Sequence, residues 1–246
     1  MTALFDRRAF VRSITAATAC LTLPHRLFSA TKKSVLVFTK SSGFEHAVVK
    51  RQDGKLSICE TTVTELGAKN GFDVTCSKDG RIFDSKDFHA YQAVFFFTTG
   101  DLTEEGTDKN PPMSAAGKQA LLTSIEQGLG FVGCHAASDT FHTAPDSKDL
   151  SNRYIAHGAQ SDPYLRMLGG EFIIHGRDPR LQTANIIIND PSFPGLAGVQ
   201  SPVPFNEEWY SLKDFAPTCT SSPQSTPACS RTSATSAVRI LLPGRA

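Results

Sequence analysis

Short, unbroken apolar runs that alternate with stretches of helical period constrain this chain more than any other feature. "SVLVFT" (Ser34 to Thr39) and "AVFFFTT" (Ala93 to Thr99) are β-branched and aromatic. They lack the polar–apolar alternation of a half-exposed strand, so both faces of each must be covered, as in a parallel sheet. Between them, residues 55–70 place Ile58, Thr62, Leu66 and Lys69 at helical spacing; Gly71 ends that helix and "FDVTCS" follows as a strand. Ser114 caps a second helix, "AAGKQALLTSIEQ", which Gly128 terminates. "LGFVG" and "ANIIIND" (Ala184 to Asp190) are later strands. Strands alternating with helices predict an α/β domain with a mostly parallel central sheet.

Ligands of such sheets bind beyond the carboxyl ends of the strands, which gives meaning to the residues found there. "KSSGFEHAVV" follows the first strand and carries Gly43, Phe44 and His46. "TTGDLT" carries Gly100 and Asp101, and "GCHAASDTF" carries Cys134, His135, Ser138, Asp139 and Thr140. These three loops are expected to converge and to bring His46, His135 and Asp139 within reach of one another. Further on, "MLGGEFIIHG" supplies His175, which follows two isoleucines out of a strand. "NEEWY" supplies Glu207, Glu208, Trp209 and Tyr210. His142 and His157 are weaker candidates, and His89 is expected at the surface.

Bulk properties narrow the classes. A length of 246 residues allows one sizeable domain, and a net charge of +1 gives no electrostatic reason for a nucleic-acid or anionic-membrane partner. Of six cysteines, Cys20 falls in a leader and Cys219 and Cys229 in an unusual tail. Cys59, Cys76 and Cys134 remain, an odd number without metal spacing, so no disulfide framework is expected. Residues 1–30 resemble a twin-arginine export signal: Arg7 and Arg8 precede Phe10 and the mildly apolar "ITAATACLTLP". That run is too short for a membrane span of about 20 apolar residues, and the expected destination is the periplasm.

The pieces "GFEH", "TTGDLT", "GFVGCHAASDTF", "LGGEFIIHG" and "NEEWYSLKDF", in that order, resemble the trehalose-utilisation ThuA-like family over roughly residues 33–217. The resemblance implies a flavodoxin-like, class I glutamine amidotransferase-like three-layer sandwich and a role in handling sugars or keto-sugars. True glutamine amidotransferases carry a cysteine nucleophile in G-x-C-x-G. Laying Gly133 on the first glycine puts His135, not Cys134, at the nucleophile position, with Ala137 in place of the second glycine. Cys134 should then turn toward the core, since neighbours along a strand point to opposite faces. An amidotransferase activity is disfavoured accordingly.

The expected working residues are His135 and His46, with Asp139 and His175. Gly43, Phe44, Asp101, Ser138, Thr140, Glu207, Glu208, Trp209 and Tyr210 are the expected sugar contacts. Histidines and carboxylates together can bind zinc or a similar divalent metal. They can equally act as general acid and base on a sugar hydroxyl or on the proton beside a keto group. Ser138, Asp139 and Thr140 are also good helix caps, and Trp209 and Tyr210 serve equally well to close a core. A non-catalytic carbohydrate-binding protein is the competing class; the assembly state, a homo-oligomer included, is open.

The tail departs from the family. After "LKDFAP", residues 218–246 turn abruptly rich in Ser, Thr, Pro, Ala and Cys, with no apolar period. The resemblance implies instead a leucine-rich strand and a segment like "DYQRPPYPATWA". A one-base shift after the codon for Pro217 makes "TCTS" compatible with "DLHV", and "TSAVRILLPGR" compatible with "YQRRPYPATWA". The expectation is a frameshifted tail that leaves the domain without its closing strand. Resequencing the locus decides it: an intact frame through "TSAVRILLPGRA" rejects the shift.

Overall fold

Four parallel strands carry the domain: β1 (Ser34–Phe38), β3 (Asp73–Ser77), β4 (Ala93–Phe96) and β6 (Gly130–Gly133). Their order in the sheet is β3-β1-β4-β6, every neighbouring pair parallel. This is a doubly wound, flavodoxin-like order whose switch point lies between β1 and β4. The computed structural model describes residues 32–145, 147–149, 151–176, 178–188, 190–192, 195–214 and 238–241. The leader (1–30) and all of the tail (218–246) except Val238–Leu241 lie outside the described residues.

Side-chain alternation along β1 sorts the core onto two faces. Leu36 and Phe38 join Val94 and Phe96 of β4 on one face, under Leu121 and Leu122 of α2 (Ala115–Glu126). Phe38, Phe83, Phe88 and Phe96 form a chain of edge-on and tilted rings with centroids 4.8–5.9 Å apart. On the opposite face Thr39 reaches Glu60 of α1 (Ile58–Asn70), while Phe95 and Phe97 pack with Val49, Cys59 and Cys134. The result is a three-layer α/β sandwich.

Local signals set the helix ends. Ser57 and Glu60 form a reciprocal capping box at the start of α1, and Gly71, at φ 76°, closes it with an N–H bond to Gly67. Ser114 caps α2 through the Gly117 N–H. Glu60 is fully buried. Burial alone pushes its carboxyl up, but the two-pronged Arg51 guanidinium, the Ser57 N–H and the Thr39 hydroxyl outweigh that and hold it below the usual range.

Past the end of the main sheet, β2 (Ser41–Ser42) pairs in parallel with β5 (Thr99–Gly100), and Gly100 bridges to Thr140. The three loops are thereby zipped together just beyond β1, β4 and β6. The remaining strands form two antiparallel sheets. One joins β7 (Glu171–His175) to β10 (Tyr210–Lys213), after the short α3 (Pro163–Leu168). The other orders β11 (Val238–Leu241), β8 (Gln182–Ile188) and β9 (Val203–Glu207). β11 is a strand inside the segment expected to lack regular structure, lying antiparallel to β8. Among the described residues, no helix is long and apolar enough to cross a membrane.

Candidate functional site

The turn after β6 is the tightest piece of chain near the switch point. His135 has φ 46°, in the left-handed region that a non-glycine residue occupies only at a cost of about 1–2 kcal/mol. It opens a single 3₁₀ turn, His135–Ser138, directly behind the strand. A Cβ on Gly133 would stand 3.1 Å from the Phe131 ring and 3.3 Å from the Ala137 Cβ. Small residues at both positions are therefore what lets the turn close. The geometry is that of a strand–turn–helix elbow, which lifts the side chain at its apex out of the sheet.

Cys134 and His135 part company at this elbow. Cys134 is half-buried against Val49, Phe97 and Ala136, and burial pushes its thiol up. Cys59, beside it, is pushed up to about 11 by burial and then by Cys134. Neither has the depressed pKa of a thiolate nucleophile.

The His135 ring instead faces His46, with centroids 4.8 Å apart, and Phe97 lies under both at 5.6–5.7 Å. Phe44, 65% exposed, stands edge-on to His46 at 4.9 Å, and Gly43 beside it has φ 141°. From the other side Tyr210 packs on His135 at 4.9 Å, its Oη 3.2 Å from His135 Nε2. Glu208 sits between two imidazoles: Oε2 is 3.9 Å from His135 Nε2 and Oε1 is 3.5 Å from His175 Nδ1. Arg180 Nε lies 3.6 Å from Glu208 Oε1. His175 donates from Nδ1 to the Gly176 carbonyl, and Phe172 and His175 flank Tyr210. Glu207 accepts from the Glu208 N–H.

The environment sets protonation. Burial, and next the adjacent His135, lower His46 below the ordinary imidazole value; Glu208 and Asp139 oppose this and lose. His46 is therefore a neutral acceptor at neutral pH. Burial, reinforced by Asp139, Glu208 and Glu207, pushes the Tyr210 phenol well above its ordinary value. Tyr210 thus keeps its proton, and its hydroxyl is hydrogen-bonded to His135 Nε2.

Other expected contacts lie elsewhere. Thr140 is fully buried, bonded to Thr98 Oγ1 at 2.9 Å and to the Ala136 carbonyl, so it locks the loop from inside. Asp101 turns back on Thr103, accepting from its N–H and hydroxyl. Ser138 donates to the His135 carbonyl. Trp209 points away from Glu208 and Tyr210, donates to the Gln182 carbonyl of β8, and packs near Phe205. It pins the corner where β9 gives way to β10. Neither Ser138, Asp139 nor Thr140 caps a following helix; the Asp139 carboxylate bonds His142 Nε2 at 2.5 Å. His157 is exposed and bonds Asp214, and His89 is exposed.

Sequence reasoning ranked His142 among the weaker candidates and missed Glu171 altogether. Glu171, 1% exposed, takes His142 Nδ1 at 3.3 Å and the Thr143 N–H at 2.8 Å. No local motif announces this pair, because its members lie 29 residues apart. Among the described residues, no group of three or more His, Cys, Asp or Glu side chains is arranged to hold a metal ion.

A sequence profile of the family ThuA, trehalose utilisation, matches residues 34–228. The chain belongs to the ThuA family. A crystal structure of a ThuA-like protein from Bacteroides uniformis aligns with a TM-score of 0.50 at 18% identity. The alignment covers 77% of this chain and 65% of that one, so this ThuA-family chain spans about two thirds of that protein's length. At this identity the likeness speaks to the fold. A comparison with curated proteins finds no match.

Proposed function

We propose that this ThuA-family protein works on a sugar or keto-glycoside by acid–base chemistry at the His46–His135 cluster. One observation carries the reading: two histidines from separate loops, 4.8 Å apart at the switch point, with a protonated phenol on one of them. His46, neutral at neutral pH, accepts a proton from the substrate, either from a hydroxyl or from the carbon beside a keto group. The Tyr210–His135 pair supplies hydrogen bonds to the oxygen on which negative charge develops. Glu208, 3.9 Å from His135 and 3.5 Å from His175, sets one carboxylate between the two imidazoles. A neutral sugar ring suits the aromatic edges of Phe44 and Tyr210.

The test is turnover of a keto-glycoside as a function of pH. Because His46 is lowered, its base form persists below the ordinary histidine value of about 6.5, so the acid limb of kcat/KM should lie below pH 6.5. Because Tyr210 is raised, loss of its proton contributes no limb below about pH 10. An acid limb centred at or above pH 7 would exclude His46 as the base. The exposed Phe44 ring favours one alternative, a carbohydrate-binding protein without turnover. Saturable sugar binding with no product would select that alternative.

Export follows from Arg7 and Arg8 ahead of the apolar stretch. Arg7→Lys with Arg8→Lys should hold a fused reporter in the cytoplasm. Unchanged export of the double variant rejects the twin-arginine route.

A further inference from the structure

His142 presents both ring nitrogens to carboxylates, Nε2 to Asp139 Oδ1 at 2.5 Å and Nδ1 to Glu171 Oε1 at 3.3 Å. A neutral imidazole has one donor nitrogen and one acceptor, whereas an ionised carboxylate only accepts. Both contacts are satisfied together when both nitrogens carry protons. The surroundings agree with a cation. The imidazole is 9% exposed, and the fully buried Tyr154 ring stacks on it at 3.9 Å and 4°. Glu171 stays anionic through the Thr143 N–H and through Lys213, whose Nζ is 3.3 Å from Oε2. Also nearby are Arg153, whose guanidinium lies 4.4 Å from the Tyr154 ring centre, and Asp214, 3.8 Å from Lys213 Nζ.

We propose that His142 is a standing imidazolium, clamped between Asp139 and Glu171, whose work is to fix Asp139 at the end of the turn that begins at His135, where its N–H bonds the Ala136 carbonyl at 2.8 Å. His142 is thus a positioning residue. It does not reach the His46–His135 cluster itself; it acts through Asp139, whose charge is felt by both His46 and Tyr210. The backbone completes the device. The Gly100 N–H donates to the Asp139 carbonyl at 2.7 Å, so main chain and side chain of Asp139 are held independently. Burial alone would lower His142, but the two carboxylates outweigh it and raise its pKa. An anion fixed in this way keeps the proton affinity of His46 from falling as far as burial and His135 would take it. The inference rests on His46 being the working base, but its test does not depend on turnover.

The test is imidazole ¹⁵N NMR on the full chain, following each ring through a pH titration. In the wild type both nitrogens of His142 should show imidazolium shifts at pH 7.5. In His142→Gln, Asp139 loses both its clamp and its counter-charge, and the His46 midpoint should move. A purely structural His142 would lower the melting temperature of the folded variant and leave the His46 midpoint in place, which would overturn the proposal. Should His142→Gln fail to fold, Glu171→Gln serves: the His142 midpoint must drop when one of its two anions is removed. An unmoved midpoint there, or a neutral His142 in the wild type, also overturns it.

Discussion

His135→Ala is expected to lower turnover of a keto-glycoside by about 10²–10³-fold, the usual loss when a group that stabilises developing negative charge is removed. Cys134→Ser, one residue away, should leave turnover within about twofold. The contrast follows from the elbow. At φ 46° the His135 ring is lifted onto His46 and Tyr210, while the Cys134 thiol is packed against Val49, Phe97 and Ala136. Truncating His135 also removes the hydrogen-bond partner of the Tyr210 phenol and one of the two imidazoles beside Glu208. Paired steady-state assays on the two variants decide the matter. The opposite pattern, with the serine variant inactive and the alanine variant active, would restore the cysteine as nucleophile.

Gly100→Ala should be among the most damaging single substitutions in the domain, costing about 3–5 kcal/mol of folding stability. Gly100 has φ 79°, and a Cβ built on it falls 1.8 Å from the Ser42 carbonyl oxygen. That oxygen belongs to backbone paired in β2–β5, so no side-chain rotation relieves the clash. Opening the pair also pulls on the Gly100 bonds to Asp139 and Phe141, which fasten the third loop to the second. Chemical denaturation of the two proteins measures the loss. A Gly100→Ala midpoint within error of the wild type would mean that the β2–β5 ribbon is not holding the loops together.

Stability should also respond to pH through the clamp. His142 is raised, so its contribution is fully present below its unfolded value of about 6.5 and is lost as pH climbs through the folded value. Glu171 is lowered despite burial, because His142 and Thr143 hold its anion. Its contribution is present above the unfolded value of about 4.3 and is lost as pH falls through the folded one.

What could be read in the sequence was what short-range chemistry determines. Ser114 and Gly71 mark a helix start and a helix end through interactions within four residues, and the structure uses both. The apolar runs of β1, β4 and β6 predicted a parallel sheet, and the sheet is parallel. His175 was legible for a related reason, since it ends an apolar strand. Side-chain partners separated by long stretches of chain were not legible. Asp139 read equally as a site carboxylate and as a helix cap; neither reading showed its bond to His142, itself held by Glu171 from β7. Trp209 looked like a sugar platform, but alternation at the β9–β10 corner sends Glu208 and Tyr210 one way and the indole the other. Thr140, expected as a sugar contact or a helix cap, is an internal tie to Thr98.

The central claim is that His46 removes a proton from the sugar, and deuterium exchange tests it most directly. A keto-glycoside incubated with the enzyme in D₂O should gain deuterium at the carbon beside its carbonyl group, read by NMR. His46→Ala, folded by circular dichroism, should abolish that gain. Equal labelling by the wild type and His46→Ala, or turnover by the wild type with no label at that carbon and no change on losing His46, would contradict the account.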